Sequence, residues 1–524
     1  MNVDPRQKDF AMTHIRRPVG PEHRVTGGAP RVRRARVTAP LAAALLAATG
    51  MSALTLTAAP AYASTGHASQ VTKADDFNGD GYADLVVSAS TGTVSDKAGA
   101  GYVAVVYGSA SGLSPAHKSV ISRSTSGVPG AAVAKEGFGD SFTKGDLDGD
   151  GYSDLVIGAG KNGSDAVVLW GSPSGLTGGT SLGKYRRTPI AGDFDGDGKT
   201  DLALFGDPDA FGDDPVDQPA ALWKGPISRT GKPAATRDFM DKSTWWGYGD
   251  DGDDGPDACA AKDTCVNGPH SIAGPVVALG TGDVNGDHLQ DVVIRLYTGD
   301  GSWANRVLLS TPTGFKIVRA PGFDGAVGVG DVDGDGYDDV VSGSGEDRPY
   351  VTIGFGAPDA DLTKRTQTFD QSLPGFYGAQ EEGDDLGSCV AVADVDGDGK
   401  AEVALGISGE DFSGLTDAGS FALLHGTSTG VTGTGSQVMH QNTAGVPGVA
   451  ESNDRFGDAC ALADTNGDGH RDLAVAASNE NAAAGAIWSL NGTSTGLTTT
   501  GAIAFGPTKV GAPATSARFG RVLR

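Results

Sequence analysis

Aspartate recurs in this chain at a spacing that suits one kind of chemistry, the grip of oxygen ligands on a hard cation. A nine-residue pattern, D-x-[DN]-x-D-G-x-x-[DE], occurs seven times, with His288 in place of the second glycine in the fourth copy. The first copy offers side-chain oxygens from Asp76, Asn78, Asp80 and Asp84, and the backbone carbonyl of Tyr82 at position 7. The second copy supplies Asp146, Asp148, Asp150, Tyr152 and Asp154, and the third Asp193, Asp195, Asp197, Lys199 and Asp201. The fourth has Asp283, Asn285, Asp287, Leu289 and Asp291, and the fifth Asp331, Asp333, Asp335, Tyr337 and Asp339. The sixth has Asp394, Asp396, Asp398, Lys400 and Glu402, and the seventh Asp464, Asn466, Asp468, His470 and Asp472.

Calcium takes about six to eight oxygen ligands, and alternating carboxylates on a tightly curled backbone converge on one point. Glycine at position 4 in every copy lets the chain turn with positive φ. Magnesium suits the pattern less, because it keeps several of its waters. An EF-hand needs a glutamate at position 12, where this chain has Val87 and Ile157, each inside an apolar run. The loops are therefore read as calcium loops between two β-strands, holding up to seven ions. A set of metal-free Asp-Gly turns is the competing reading. Seven copies keeping four oxygens in phase argue against it. The fourth copy, with His288, and the sixth, with Glu402 at position 9, are the weaker sites.

The elements that must position these loops follow from composition and spacing. The chain has 524 residues, 82 of them glycine, and a formal charge of −25. So much glycine disfavours a helical protein, and the acidity argues against a nucleic-acid phosphate binder. Residues 1–63 stand apart: basic, then apolar from Leu41 to Leu56, then Ala61-Tyr62-Ala63, the order of a secretory signal peptide. Without them the balance moves to −31, and residues 64–524 form the exported part. Within it the loops begin 47 to 90 residues apart, room for about four short strands each, the size of a propeller blade. The expected strands include Leu155 to Ala159, Ala166 to Trp170, Asp472 to Ala477 and Ala486 to Leu490.

Phe138-Gly139 and Phe456-Gly457 each lie eight residues before a loop, and Gly158-Ala159-Gly160 or Gly406 to Asp411 follows it. In these units the chain resembles the FG-GAP repeats of the integrin α-subunit head, and secreted actinobacterial FG-GAP proteins of the VCBS-like kind, particularly over Ala379 to Leu497. The resemblance implies an all-β fold, a seven-bladed β-propeller with a calcium-binding loop in each blade. The first loop lacks a preceding Phe-Gly, and a spare Phe519-Gly520 follows the last loop. The terminal segments are thus expected to close the ring. Units three to five depart from the pattern, with Tyr185, Pro275 and Phe323 where Phe-Gly is expected.

Other chemistries are weaker. Ser428 and Ser494 match G-x-S-x-G, but equivalent turns read Gly108 to Gly112 and Gly171 to Gly175, and no helix is expected to follow. An insertion at about 229–270 carries Trp245, Trp246, Tyr248, the acidic run Asp250 to Asp257, Cys259 and Cys265. It is read either as a recognition element or as a hydrophobic plug, with a Cys259–Cys265 disulfide. Cys389 and Cys460 lie five and four residues before their loops, which sets them out of phase. They are expected as small buried residues, with an inter-blade bridge as the alternative. No catalytic residue is assigned. The expectation is a secreted, monomeric calcium-binding module for adhesion to an extracellular protein or glycan, with no nucleic acid and no membrane span. A secreted hydrolase on a propeller scaffold and a purely structural envelope protein are the alternatives.

Overall fold

The computed structural model describes residues 75–183, 187–206, 215–242, 266–322, 325–344 and 349–524. Every described residue lies in the unit formed by 65–524. The signal segment, Tyr185, Phe323, the Trp245–Trp246 pair, Tyr248, the acidic run, Cys259 and Cys265 lie outside the described residues.

The apolar runs after each loop become strands buried on both sides. Leu85–Ala89 (β1) and Tyr102–Val106 (β2) are buried at every position, as expected of strands sandwiched between neighbouring sheets. They form blade one with β3 (Lys118–Ile121). Blade two is the antiparallel set β4 (Phe142–Gly145), β5 (Asp154–Ile157), β6 (Ala166–Trp170) and β7 (Thr177–Gly183), paired in that order. Blade three follows with β8 (Thr188–Gly192), β9 (Asp201–Phe205), β10 (Val216–Ser228) and β11 (Lys232–Arg237). The short β12 (Ser271–Gly274) pairs with the start of β10. The segment 229–270 therefore begins with the outer strand of blade three, and Arg237 ends that strand.

Blade four is β13 (Val276–Gly282), β14 (Asp291–Gly299), β15 (Ser302–Thr311) and β16 (Gly314–Arg319). Blade five is β17 (Val327–Gly330), β18 (Asp339–Ser342), β19 (Val351–Gly354) and β20 (Thr366–Phe369). Blade six is β21 (Leu386–Ala393), β22 (Glu402–Ile407), β23 (Ser420–Thr427) and β24 (Gly430–Met439). Blade seven is β25 (Ala459–Ala463), β26 (Asp472–Ala477), β27 (Ala486–Thr493) and β28 (Gly496–Phe505). The first strand of each blade packs beside the first strand of the next, from β4 to β8, β13, β17, β21 and β25. The architecture is an all-β, seven-bladed propeller.

There is no single central core. Seven apolar clusters fill the seven joints between adjacent blades, each drawing side chains from both partners. The phenylalanine of each Phe-Gly pair seals such a joint. Phe138 is 1% exposed and its N–H donates to the Ala100 carbonyl of the preceding blade at 2.9 Å. Phe456 does the same to Ala418, and Phe519 to Ala484, each at 3.0 Å.

Phe519 shows how the ring closes. The residues after it run along β1: Ser88 N–H donates to the Val522 carbonyl at 3.0 Å, and Val86 N–H to that of Arg524 at 2.9 Å. Val87 and Leu523 form an antiparallel bridge. The terminal segment thus supplies the inner strand that blade one lacks and covers an edge that would otherwise pair with another chain.

One expectation is corrected. Cys389 and Cys460 form a disulfide between the inner strands of blades six and seven, with Cα atoms 5.8 Å apart. Their unequal distances from the loops suggested opposite directions. A bulge in β21 between Leu386 and Val390 shifts the register there, and restores the phase.

Candidate metal centre

Each acidic loop lies between the first and second strands of its blade; in blades two to seven it joins them, and in blade one the first strand is the terminal segment. Position 1 shapes it. In the first loop Asp76 Oδ1 accepts the Gly79 N–H at 2.6 Å and Oδ2 accepts that of Gly81 at 2.8 Å. The same pair of bonds recurs on Asp146, Asp193, Asp331, Asp394 and Asp464, and on Asp283 with His288 as the second donor. His288 sits at φ +69°, so the fourth loop keeps the shape at a non-glycine residue.

Position 9 ties the loop into the blade. Asp84 is 1% exposed; its Oδ2 accepts Phe77 N–H at 2.9 Å and its Oδ1 accepts Gly108 N–H at 3.0 Å, at the end of the third strand. Asp154, Asp201, Asp291, Asp339 and Asp472 hold the corresponding amides of Gly171, Gly225, Ser310, Gly356 and Gly492. Burial pushes these carboxyls up, to about 7 for Asp84, Asp154 and Asp291, about 8 for Asp339 and about 6 for Asp201 and Asp472. Glu402 is raised to about 7 by the same cause. A cation in the loop would hold them ionised instead.

Positions 3 and 5 complete the donor set, position 3 part-buried to buried (Asp333) and position 5 more exposed. Carboxylates converge at Asp146, Asp148 and Asp154, at Asp193, Asp195 and Asp197, at Asp331, Asp333 and Asp339, and at Asp394, Asp396 and Asp398. Loops with aspartate at position 3 also receive a basic or imidazole side chain. Arg229, stacked on Trp170, reaches Asp148 and Asp150 at 2.6 Å each. Lys224 pairs with Asp195 and Asp197, and Arg365, over the Phe355 ring, reaches Asp333 at 2.5 Å. His425 lies 3.4 Å from Glu402. Loops one, four and seven have asparagine at position 3, whose amide donates to the position-5 carboxylate at 2.9–3.1 Å. In loops two, three and five the fourth negative charge thus comes with its own counter-charge.

The residues fit calcium. Asp195 Oδ1 and Asp333 Oδ1 are buried with no hydrogen-bond partner, although Oδ2 of each already meets a basic side chain. A buried orphan carboxylate oxygen among oxygens is what a hard cation would satisfy. Positions 1, 3, 5 and 9 would hold the ion, which would neutralise the packed carboxylates.

The loops also touch one another, which the spacing did not reveal. The position-8 N–H donates to the position-1 carbonyl of the preceding loop: Ser153 to Asp76 at 2.8 Å, Gln290 to Asp193 at 3.0 Å, Asp338 to Asp283 and Ala401 to Asp331 at 2.8 Å. Ala83 to Asp464, at 3.0 Å, links loop one to loop seven. The position-7 side chain lies on the position-4 glycine of that preceding loop. A Cβ on Gly79 (φ +73°) would stand 2.5 Å from Tyr152 Cε1, and one on Gly286 would stand 2.5 Å from Tyr337 Cε1. Tyr82, Leu289, Lys400 and His470 occupy the same place against Gly467, Gly196, Gly334 and Gly397. Besides its carbonyl, position 7 thus contributes a side chain that packs on the neighbouring loop, except at Gly149, which no side chain meets.

The serines of the G-x-S-x-G matches sit in tight hairpin turns, where Thr427 and Thr493 hydroxyls donate to the Gly430 and Gly496 carbonyls at 2.6 and 2.7 Å. No strand-to-helix elbow surrounds them.

Comparison with known proteins agrees with this geometry. The FG-GAP repeat model matches residues 67–106, 387–424 and 456–490, and the FG-GAP-like repeat model matches 146–204. Among characterised proteins the chain is similar to integrin alpha pat-2 of Caenorhabditis briggsae, 29% identical over 232 residues, covering 40% of this chain and 18% of the relative. It is similar to integrin alpha pat-2 of Caenorhabditis elegans, 29% identical over 174 residues, covering 29% and 14%. It is 38% identical over 105 residues to integrin alpha-PS5 of Drosophila melanogaster, covering 20% and 10%. The matches span less than a fifth of each relative's length. The chain is an FG-GAP repeat protein, and its propeller is of the integrin α head type.

Proposed function

We propose that this propeller is an exported, calcium-stabilised binding module that adheres to an extracellular protein or glycan and acts as a monomer without catalysing a reaction. The observation that carries the reading is the recurrence of seven oxygen-rich loops, one to a blade and most of them bonded to the next, in a chain similar to integrin α subunits. Calcium would act by neutralising carboxylates that the fold holds together, which stiffens one face into a fixed platform. The basic-apolar start of the sequence supports export, and among the described residues no helix is long and apolar enough to cross a membrane. The test is an array of glycans and matrix proteins probed with the full chain in calcium and in chelator. Calcium-dependent retention on a ligand class is expected. A blank array, together with turnover of a polysaccharide or ester substrate, would replace this reading by a hydrolase.

A further inference from the structure

Among the described arginines, Arg123, Arg229, Arg237, Arg365, Arg455 and Arg521 each meet a carboxylate. Two in blade four do not. Arg306 on β15 and Arg319 on β16 stand directly opposite each other in the strand register. Like charges in that position repel, and neither has a carboxylate partner among the described residues. Arg306 is half-buried and its one hydrogen bond is to the Asn305 carbonyl at 2.8 Å. Burial, then the nearby Arg319 charge, lower its pKa.

Both arginines line a cavity of about 300 Å3 whose wall also includes Leu296, Ile317, Pro215 and Thr298. Two guanidinium groups together with an apolar lining describe a ligand with an anionic head and a compact body. The head is a carboxylate rather than a phosphate. A planar, singly charged group matches the forks and meets less repulsion from a chain of net charge −25.

We propose that the blade-four cavity is a binding site for a carboxylate-bearing small ligand of the acidic-sugar class, its carboxylate held between Arg306 and Arg319 and its ring against Leu296, Ile317 and Pro215. This rests on the binding-module reading and names the chemistry of what is bound.

Calorimetric titration of the full chain with glucuronate, in saturating calcium, tests the site, with glucose as the neutral control. Glucuronate is expected to bind and glucose not. Arg306→Gln and Arg319→Gln should each weaken glucuronate binding by about tenfold, since one fork of the pair is lost. Both variants should melt no lower than the wild type, because each removes a like-charge contact. Equal affinity for glucose and glucuronate, no binding of glucuronate, or unchanged glucuronate affinity in both variants would overturn the proposal. A neutral glycan captured on the array without glucuronate binding would sink this site and leave the binding-module reading standing. Glucuronate binding with a blank array would keep this site and remove adhesion to a displayed protein or glycan.

Discussion

At the scale of single residues, the nine loop positions divide into builders and presenters. Position 9 is a builder: Asp84 anchors two backbone amides and is shut away from water. Position 5 is a presenter: Asp80 is exposed and bonds within its own loop. Asp84→Asn sets an amide N–H2 against a backbone donor and should cost about 1–3 kcal/mol in urea unfolding, with or without calcium. Asp80→Asn should be nearly silent in chelator and show its cost only when calcium is present. Equal costs in chelator would contradict the division. Positions 1, 3, 5 and 9 were legible in sequence because a loop is local, and spacing alone puts its oxygens together. The role of position 7 was not. Tyr152 meets Gly79, a residue of another blade, and no spacing rule pairs the two.

At the scale of elements, the joints between blades carry a second set of acids. Arg123, two residues after β3, neutralises the buried Glu136 at 2.8 Å. Two residues after β20 and β24 the corresponding places hold Gln371 and Gln441, which donate to Glu410 at 3.1 Å and Glu480 at 2.8 Å. Those glutamates have no cation, and burial pushes both up to about 7, aided by Asp384 beside Glu410 and Asp454 beside Glu480. Their folded-state pKa lies above the unfolded value of 4.5, so the folded chain binds the extra proton. Their contribution therefore falls as pH rises from about 4.5 to about 7, and the full desolvation penalty acts above that window. Glu410→Gln with Glu480→Gln should raise the melting temperature at pH 8 relative to wild type, and the gain should vanish near pH 4.5. A constant difference across pH would refute it. The strand pattern was readable from the apolar runs. The Cys389–Cys460 bridge was not, because a bulge in β21 changes which way a side chain points without leaving a mark in the residue types.

At the scale of the whole molecule, stability is shared among seven joints and a set of loops bonded to their neighbours. Chelation should therefore act on the ring as a unit. EDTA is expected to lower the melting temperature in a single step, and added calcium to restore it; indifference to both would remove calcium from the account. The closure is equally collective. Deleting Ala517–Arg524 strips Phe519 from its joint with blade seven and leaves β1 without a neighbour. Loss of cooperative unfolding throughout, rather than fraying of one blade, is expected from calorimetry. An unchanged melting curve would show that the latch is dispensable. The latch was visible in sequence as a misplaced Phe-Gly, because a ring with a spare unit at one end and a missing one at the other can be balanced by counting.

The latch also sets an order in time. Blade one's edge is laid down at residues 85–89, and its partner arrives only at residues 522–524. As the chain is made, the first blade must wait through every other blade with its edge open. A product cut short anywhere along the way would carry that open edge permanently, a mark by which incomplete chains can be told from finished ones.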